Sequence, residues 1–432
     1  MGTGYVGLTA GACFAHLGHH VLCADIDVEK IERLSRGDVP ILEAGLPDLV
    51  REGIENRRLK FVVGAANAAA SCEFTYLCVP TPQADDGSAD LSYLRSAAAE
   101  IAHLLPPESV VVNKSTVPVG STRVVEEVIA RDDVAVVSNP EFLREGSAVW
   151  DFLHPDRIVI GCDDQQAAAR VGELFRNLRA PVIVTDPASA EMIKYASNAF
   201  LAAKLSFVNA VANVCEAVGA DVRDVLLGMG YDRRISFEFL KPGPGWGGSC
   251  FPKDVNALLR IASDAGYDFE LLRGVADVNR EQFERIAAKV ERMVGGALEG
   301  RSVAVWGLTF KARTDDLRES PALAVIDRLR ARGAHVRAYD PAVKTRAEAA
   351  GGEAAPRGEH PSLAGIEVCT DPYAACDGAD ALVVLTEWDE FRRLDFTKVA
   401  SLLATPRVVD GRNLLDPVAL RRLGFEYTGV GR

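Results

Sequence analysis

The sequence predicts an α/β protein in which two doubly wound parallel sheets are joined by a helical middle domain. Residues 1 to 185 alternate short apolar runs with amphipathic stretches, as strands and helices do in such sheets. From Ser189 the pattern changes to one long stretch of helical period, and after Gly295-Gly296 the strand pattern returns. The domains are predicted at 1–187 (amino-terminal), 188–296 (helical middle) and 297–432 (carboxy-terminal).

Uninterrupted apolar runs predict the individual strands. In the first domain these runs are 21–24, 74–79, 110–112 and 157–160. The middle domain then begins with a long, largely buried helix, because apolar residues recur at helical spacing with no Gly or Pro before Gly219. In the last domain strands are predicted at 302–307, 335–340 and 381–385, and 343–367 is predicted to be a surface excursion.

Composition limits the partners and the compartment. Lys and Arg number 48 against 61 for Asp and Glu, and the net charge of -13 disfavours nucleic acid and anionic membrane surfaces as partners. No apolar run reaches the roughly 18 residues that span a bilayer. The nine cysteines are odd in number and scattered, without C-x-x-C spacing, so we expect a cytoplasmic protein with neither disulfides nor a cysteine metal site.

A glycine motif opens the chain. Gly2-Thr3-Gly4-Tyr5-Val6-Gly7 has G-x-G-x-x-G spacing, and Asp25 ends the first predicted strand about twenty residues later. In Rossmann-type folds such glycines let the backbone approach a pyrophosphate at a helix N-terminus, and the acid accepts hydrogen bonds from a ribose. Glycines also occur in turns and where helices pack closely, so the spacing alone is weak evidence. The prediction is specific because a helix, a strand and an acid follow the glycines at the expected distances. Because Asp25 would repel a 2′-phosphate, the expected cofactor is NAD, bound by a Rossmann-like domain.

The same motif lacks the strand that should precede it. Only Met1 stands before Gly2, so we expect the innermost strand of the first domain to be missing from this sequence. The hypothesis that follows is a native product that begins several apolar residues earlier.

Cys250 has the surroundings of a nucleophile. It follows a glycine-rich run from Gly243 to Gly248, and Pro252 suits the first turn of the helix that apolar residues then continue. A cysteine at a helix N-terminus is stabilised as a thiolate by backbone N–H groups and the helix dipole. For the other eight cysteines a small buried side chain is the better interpretation. Lys253 either lowers the pKa of this thiol or faces solvent.

Polar residues elsewhere are placed to share a site. Lys194 and Asn198 are four residues apart on one helical face with apolar flanks, and could together bind one oxygen, although a solvated pair would look similar. Thr116, Glu141 and Glu145 follow predicted strands, and such loops line the ligand crevice of an open α/β sheet.

These motifs together resemble the UDP-glucose/GDP-mannose dehydrogenase family, and most closely its UDP-glucose 6-dehydrogenase branch. The resemblance covers almost the whole chain, and only the first strand of the family pattern is missing. The matching motifs, in order, lie at 2–7, 79–82, 114–118, 139–146, 191–198, 245–254, 310–311 and 410–412.

The resemblance implies an oxidation of a sugar C6 alcohol to a carboxylate, with two hydrides passed to NAD. Cys250 would hold the intermediate as a thiohemiacetal and then as a thioester. Lys194 and Asn198 would stabilise oxyanion character at C6. Asp254, through an ordered water positioned by Thr116, would accept the proton, and Glu141 would assist hydrolysis.

The resemblance also implies ligand contacts and a homodimer in which Arg234 reaches the partner's site. Arg318 stands in a charged run, so a solvated cluster is its alternative interpretation. The implied cofactor contacts are Gly2, Gly4, Tyr5, Val6, Gly7, Asp25, Lys30, Thr81, Thr116, Glu145 and Arg318. The implied UDP-sugar contacts are Glu141, Phe142, Leu143, Glu145, Lys194, Asn198, Arg234, Phe239, Gly247, Phe310, Lys311 and Arg412.

Three other functions remain open at this point. The same chemistry on GDP-mannose or a UDP-N-acetylhexosamine is not excluded by any one residue. A two-electron hydroxyacid dehydrogenase would share the domain plan but has no use for a nucleophilic Cys250. A catalytically silent sugar-nucleotide sensor would not need Cys250, Lys194, Asn198 and Asp254 together.

Overall fold

The computed structural model describes residues 1–84, 88–343 and 361–432, so most of the predicted excursion at 343–367 lies outside the described residues. The chain forms two compact units. The first comprises Met1–Ser197 and Asn256–Tyr267, and the second Asn198–Val255 and Asp268–Arg432. The division into three domains at 1–187, 188–296 and 297–432 stays a prediction.

The first unit is an α/β domain with its strands close to the predicted runs. Its strands are β1 (Val21–Asp25), β2 (Leu59–Val63), β3 (Phe74–Leu77), β4 (Val110–Asn113), β5 (Ala135–Ser138), β6 (Ile158–Gly161) and β7 (Val182–Thr185). Its helices are α1 (Tyr5–His16), α2 (Val28–Ser35), α3 (Leu46–Glu55), α4 (Ala66–Ala69), α5 (Ser92–Ile101), α6 (Ser121–Ile129), α7 (Ala148–Leu153) and α8 (Gln165–Glu173).

Two helices run from one unit into the other, and the second unit contains the remaining elements. The shared helices are α9 (Pro187–Val218) and α11 (Phe251–Asp264). The helices of the second unit are α10 (Val222–Gly230), α12 (Glu270–Met293), α13 (Pro321–Ala331), α14 (Pro372–Cys376), α15 (Phe396–Leu402) and α16 (Pro417–Arg422), with 3-10 turns at Pro361–Leu363 and Asp389–Arg393. Its strands are β8 (Ser302–Trp306), β9 (His335–Tyr339), β10 (Glu367–Val368), β11 (Ala381–Val384), β12 (Arg407–Asp410) and β13 (Glu426–Thr428).

The sheet of the second unit has the complete doubly wound order. Its six strands run β10-β9-β8-β11-β12-β13, and all neighbours are parallel. The chain reverses its direction of winding at β8 and β11, and in such sheets ligands bind at the carboxyl ends of the strands beside this switch point. One layer of its core joins α9, α10 and α12 to the sheet through Val208, Leu226, Ile286 and Val305.

The sheet of the first unit is in two parts. Strands β1 and β2 form one sheet, and β3-β4-β5-β6-β7 form another, parallel except where β5 meets β6. A groove of about 340 Å³ lies along both parts, lined by residues that include Phe14, Val21, Cys23 and Tyr76. Its place between β1 and β3 corresponds to the place of β8 between β9 and β11 in the second unit.

Met1 and Gly2 join the two parts at the end of this groove. The Cys78 N–H donates to the Met1 carbonyl over 2.9 Å, and the Gly2 N–H donates to the Ala24 carbonyl over 2.8 Å. In the second unit the Leu385 N–H donates to the Trp306 carbonyl at the end of β8 over 2.9 Å, and the Gly307 N–H donates to the Tyr339 carbonyl over 2.8 Å. The backbone of the glycine turn after Met1 is therefore held by the same two hydrogen bonds as the turn that follows β8.

Helix α9 ends before Gly219 as predicted, but the prediction that it is largely buried is wrong. One face is buried, whereas Phe200, Phe207 and Val214 on the other face are 70%, 57% and 60% exposed. The spacing of apolar residues predicts which face of a helix is apolar. It does not predict whether that face packs in the core of its own chain or lies on the surface where another chain could cover it. Within the described residues, α9 is the one helix long and apolar enough to cross a membrane, with 33% of its apolar window buried.

Polar contacts on the same helix are those of a core helix. The Ser206 hydroxyl donates to the Val275 carbonyl over 2.8 Å, and Asn209 accepts the Gly243 N–H over 2.9 Å. Ser206 and Asn209 are both 2% exposed. Buried polar side chains bonded within their own unit fit a folded protein interior, where such partners offset the cost of leaving water.

Candidate active site

The three glycines of the first motif differ in what surrounds them. Gly2 has a φ of 86°, and a Cβ there would lie 2.5 Å from the Cys78 carbonyl oxygen. A Cβ on Gly7 would lie 1.9 Å from the Gly2 carbonyl oxygen, because α1 packs closely on the turn. Gly4 is the N-cap of α1. Apart from its neighbours in the chain, no heavy atom of the described residues lies within 4 Å of the position that a Cβ on Gly4 would take. The helix N-terminus is therefore open, with N–H groups that can bind a pyrophosphate.

Asp25 is fixed beside this turn as a carboxylate. It accepts the Thr3 N–H over 2.8 Å and the Thr3 hydroxyl over 2.6 Å, and Lys30 Nζ lies 3.3 Å from it. Burial alone would raise the pKa of Asp25, but the hydrogen bonds from Thr3 and Asp27 and the charge of Lys30 lower it to about 2. A carboxylate with lone pairs to spare can still accept ribose hydroxyls, and its charge disfavours a 2′-phosphate.

The second unit has a counterpart of this acid that is enclosed. Asp340, at the end of β9, accepts the N–H groups of Leu308 and Thr309 over 2.7 and 2.9 Å and the Trp388 indole N–H over 3.2 Å. It is 1% exposed. Asp340 is thus enclosed, and Asp25 of the first unit is the candidate acid that a ribose hydroxyl could reach.

Loops at the carboxyl ends of β3, β4 and β5 meet at one edge of the first unit. The Thr81 hydroxyl donates to the Thr116 carbonyl over 2.8 Å, and the Ser115 hydroxyl donates to the Val79 carbonyl over 2.8 Å. These bonds tie the loop after β3 to the loop after β4. Thr81 and Thr116 are thus brought together, as expected for residues that line a ligand crevice.

The third of these loops carries Glu141, which forms a buried ion pair with α9. Lys194 Nζ lies 2.8 Å from Glu141 Oε1, and the two side chains are 4% and 5% exposed. The Leu143 N–H donates to the other carboxylate oxygen over 2.6 Å. Burial would raise the pKa of Glu141, but the charge and hydrogen bond of Lys194 outweigh it and hold the pKa below its usual range. The Phe142 ring lies 5.6 Å from Lys194 Nζ.

Cys250 stands immediately before α11, as the sequence predicts. Its carbonyl accepts the Asp254 N–H over 2.9 Å, which is the first bond of the helix, and Pro252 lies in the first turn. The Ser249 hydroxyl lies 3.6 Å from Cys250 Sγ. The side chain is partly exposed, so the helix N-terminus can stabilise a thiolate that remains accessible.

The other cysteines are mostly enclosed. Burial raises the pKa of Cys13 and Cys376 to about 12, which keeps these thiols protonated and unreactive. All nine cysteines lie in the described part of the chain, and no disulfide joins any of them there. The described residues also contain no group of three or more His, Cys, Asp and Glu side chains arranged to hold a metal ion.

Asp254 is the centre of a polar cluster next to the cysteine. Asn198 Nδ2 donates to Asp254 Oδ2 over 2.6 Å, and Lys253 Nζ lies 2.8 Å from Asp254 Oδ1. Asp254 is fully buried, and Lys253 therefore contacts this carboxylate rather than facing solvent alone. Lys194 and Asn198 are both buried on α9, but each bonds a different carboxylate, Glu141 and Asp254 respectively.

The glycines before Cys250 are required by neighbouring protein atoms. A Cβ on Gly247 would lie 1.9 Å from the Glu319 carbonyl oxygen, and one on Gly248 would lie 2.8 Å from the Phe310 ring. The sequence suggested close approach to a ligand, whereas the structure shows close approach to the loop after β8. The glycines thereby bring the cysteine loop against Phe310, one of the implied sugar-nucleotide contacts.

Arg412 is anchored at the same place. Its guanidinium donates to the Leu385 carbonyl over 2.7 Å and to the Phe310 carbonyl over 3.0 Å, and pairs with Glu387 over 3.0 Å. Lys311 Nζ lies 5.3 Å from the Phe310 ring. Phe310, Lys311 and Arg412 thus gather at the carboxyl ends of β8, β11 and β12, where a doubly wound sheet binds ligands.

Two implied contacts lie on the surface of the second unit. The Arg234 side chain is 89% exposed and bonds Asp232, and the Arg318 side chain is 60% exposed and bonds Asp316. For Arg318 these contacts match the solvated charge cluster, and its contact with a cofactor phosphate stays a prediction. Phe239, at a positive φ of 61°, lies with its ring 6.4 Å from that of Phe251.

Two buried acids that support the site were not singled out from the sequence. Glu191, one helical turn before Lys194, accepts the N–H groups of Gly120 and Thr122 over 2.6 and 2.8 Å and so fixes the loop that follows Thr116. Glu43 accepts the Gly146 N–H over 2.7 Å and bonds the Tyr5 hydroxyl. The helical spacing of Glu191 and Lys194 was a usable signal, whereas nothing local marks Glu43.

Comparison with known proteins shows a family match over most of the chain. Models of the UDP-glucose/GDP-mannose dehydrogenase family match the chain at residues 1–179 (NAD binding domain), 188–281 (central domain) and 304–417 (UDP binding domain). A UDP-glucose 6-dehydrogenase of Bacillus subtilis (strain 168) is 46% identical over 100% of this chain and 92% of its own.

Two solved structures share the fold over their full length. A UDP-glucose dehydrogenase of Pyrobaculum islandicum is 37% identical with a TM-score of 0.88, over 100% of this chain and 96% of its own. A UDP-D-ManNAc dehydrogenase of Pyrococcus horikoshii is 27% identical with a TM-score of 0.85, over 100% of this chain and 98% of its own.

The two glycine positions of the first turn predict opposite effects of the same substitution. Gly4→Ala adds a methyl group to open space at the helix N-terminus, so it should leave Tm unchanged and weaken NAD binding about tenfold. Gly7→Ala forces a Cβ onto a backbone carbonyl, so it should lower Tm, with a loss of about 1–3 kcal/mol of stability. Thermal unfolding and NAD titration measure both. A Gly4→Ala variant with wild-type NAD affinity would refute the assignment of the pyrophosphate to this turn.

Proposed function

The chain belongs to the UDP-glucose/GDP-mannose dehydrogenase family, and on that premise we propose that it oxidises UDP-glucose to UDP-glucuronate with NAD. One observation carries this proposal. Cys250 stands partly exposed at the N-terminus of α11, and one turn later Asp254 is bonded by Asn198 and Lys253. A nucleophilic thiol beside a fixed carboxylate is what a four-electron oxidation of an alcohol needs, and a two-electron dehydrogenase does not need it.

The first unit supplies groups suited to NAD. The open turn at Gly4 fits the pyrophosphate, and Asp25 with Lys30 beside it fits an unphosphorylated ribose. Thr81, Thr116 and Glu145 come from loops at the carboxyl edge of the same sheet, where a nicotinamide would lie in this fold. When bound, NAD accepts the hydride that leaves C6 in each of the two oxidations.

In the first oxidation the C6 hydroxyl must lose a proton as the hydride departs. Asp254, through a water that Thr116 helps to position, accepts this proton. The Lys194 ammonium and the Asn198 amide donate hydrogen bonds to the oxygen at C6, which carries negative charge as the proton leaves. Both donors are on α9, whose backbone keeps their four-residue spacing fixed.

Cys250 then holds the aldehyde. Its thiolate adds to C6, a C–S bond forms, and the carbonyl oxygen takes up a proton to give a thiohemiacetal. Loss of hydride from C6 and of the hydroxyl proton leaves a thioester, which water attacks with assistance from Glu141. The C–S bond breaks, the carboxylate departs, and the sulfur is left as a thiol. The covalent adduct prevents escape of the aldehyde between the two oxidations.

The second unit supplies groups suited to the sugar nucleotide. Phe310, Lys311 and Arg412 lie together, and Gly247 brings the cysteine loop against the same region. From the first unit we assign Phe142, Leu143 and Glu145 to the substrate as well. UDP-glucose is favoured because a relative of that specificity is 46% identical, whereas the UDP-D-ManNAc dehydrogenase is 27% identical. The same chemistry on that class of sugar, or on GDP-mannose, is the alternative.

We also propose a homodimer that forms through α9 and lies in the cytoplasm. Phe200, Phe207 and Val214 recur every seven residues on the exposed face of α9, and Val218 continues the stripe at 71% exposure. Such a stripe is the pattern of a helix that packs on another helix. The Arg234 side chain is exposed in the same unit. We assign it to the substrate site of the partner. The absence of disulfides among the nine cysteines, all described, is typical of a reducing compartment.

Replacement of the nucleophile tests the covalent route. Cys250→Ser should lower UDP-glucuronate formation by at least about 1000-fold, because a serine hydroxyl at this position is not ionised near neutral pH. Its NAD affinity and Tm should stay at wild-type values. The matched control is Cys72→Ser, which changes another partly exposed cysteine of the chain and should keep full activity. Acid formation by Cys250→Ser at the wild-type rate would rule out the thioester.

Complementation tests the role of Arg234 across a dimer. Arg234→Ala should raise KM for the sugar nucleotide strongly, because a charged contact to the substrate is lost. When Arg234→Ala and Cys250→Ser chains are unfolded together and refolded, about a quarter of the wild-type sites should be rebuilt in mixed dimers. Each variant refolded alone is the control. Activity no higher than the sum of the two controls would mean that Arg234 acts within its own chain.

A further inference from the structure

Lys114 is a buried cation that the proposed mechanism does not use. It follows β4 directly and is 4% exposed. Its Nζ donates to Asn139 Oδ1 over 3.1 Å and approaches the Asn139 carbonyl at 3.5 Å. Asn139 is held in turn by a 2.8 Å bond from Nδ2 to the Val159 carbonyl. Among the described residues, no carboxylate forms an ion pair with Lys114, and burying an ammonium without one is costly to the fold.

The titratable groups that act on Lys114 come from three different elements. They are Cys78 after β3, Glu141 after β5 and Lys194 on α9. Burial lowers the pKa of Lys114, and the Glu141 carboxylate opposes that effect. Burial also raises the pKa of Cys78, so this thiol is protonated near neutral pH and adds no charge. Glu141 is held as a carboxylate, so an ammonium at Lys114 would be the second positive group beside the buried ion pair.

The net charge of this cluster affects Lys194, the proposed hydrogen-bond donor to the oxygen at C6. A Lys194 ammonium bonded to Glu141 at 2.8 Å is part of a neutral pair, and the carboxylate cancels much of its attraction for a third charge. A second ammonium in the same low-dielectric surroundings would restore a positive field. Lys114 also bonds Asn139, two residues before Glu141, and so fixes the start of the turn that presents this carboxylate.

We propose that Lys114 is a positioning residue that gives the Lys114–Glu141–Lys194 cluster a net positive charge, so that Lys194 attracts the oxyanion developing at C6 while it stays bonded to Glu141. This inference rests on the proposed oxidation of a sugar nucleotide. Lys114 is not among the proposed substrate contacts. Its charge would instead set how strongly Lys194 attracts the oxyanion.

Neutral and charged variants separate this role from a structural one. Lys114→Gln keeps a donor for Asn139 but removes the charge, and Lys114→Arg keeps the charge. For Lys114→Gln we expect kcat to fall on the order of tenfold, with KM for NAD unchanged. Its Tm should be equal to or above that of the wild type, because an uncompensated buried charge has been removed. Lys60→Gln, at an exposed lysine of the same unit, is the matched control and should alter neither kcat nor Tm.

The pH profile gives a second readout. The charge of Lys114 helps to hold the pKa of Glu141 below its usual range. Its loss raises that pKa, so Glu141 becomes protonated at a higher pH, and the acid limb of kcat should move to higher pH in Lys114→Gln. In Lys114→Arg the acid limb should stay where it is in the wild type.

Each remaining outcome overturns the proposal. A Lys114→Gln variant that fails to fold, or has a lower Tm, would show that the lysine serves the fold. Wild-type kcat, or a lower kcat with an unmoved acid limb, would show that its charge does not act on the cluster. Absence of any turnover of UDP-glucose by the wild type would instead refute the proposed function. In that case the Tm comparison still decides whether Lys114 is structural.

Discussion

The buried ion pair between Lys194 and Glu141 is the contact on which the arrangement of the first unit depends. It joins α9 to the loop after β5 with both side chains nearly excluded from water. Breaking such a pair by removing one partner leaves an uncompensated charge in a low-dielectric interior, which is strongly destabilising. The pair therefore holds the helix in one position relative to the strand ends. Glu191, one turn earlier on the same helix, does the same for the loop that follows Thr116.

Helix α9 also carries a residue that bonds the polar cluster beside Cys250. Asn198, one turn after Lys194, bonds Asp254, which follows Cys250 by one turn of α11. Helical spacing sets the separation of Lys194 and Asn198 on α9, and of Cys250 and Asp254 at the start of α11. A site built on helices is positioned more accurately than one built on loops. The opposite face of α9 carries the apolar stripe that begins at Phe200, so the proposed catalysis and the proposed dimer contact both use this helix.

Local sequence pattern was sufficient to predict several features of the fold and of the candidate site. Short-range sequence rules predict the positions of the glycine turn, of Asp25 beside it, of the end of α9 before Gly219 and of Cys250 at a helix N-terminus. The structure has all four at these positions. Long-range pairing could not be predicted in the same way. Nothing in the spacing of Lys194 and Asn198 shows that each bonds a separate carboxylate, because their partners lie 53 and 56 residues away in sequence. Exposure of one face of α9 was missed because apolar period does not distinguish core from interface.

The proposed function requires two successive oxidations at the same carbon in one active site, and the NADH yield tests this requirement most directly. With limiting UDP-glucose, excess NAD and the reaction run to completion, two NADH are expected for each sugar nucleotide consumed. A yield of one would contradict this requirement, since the product would then be an aldehyde and Cys250 would have no covalent role. No NADH from UDP-glucose but two from another nucleotide sugar would keep the chemistry and contradict the substrate.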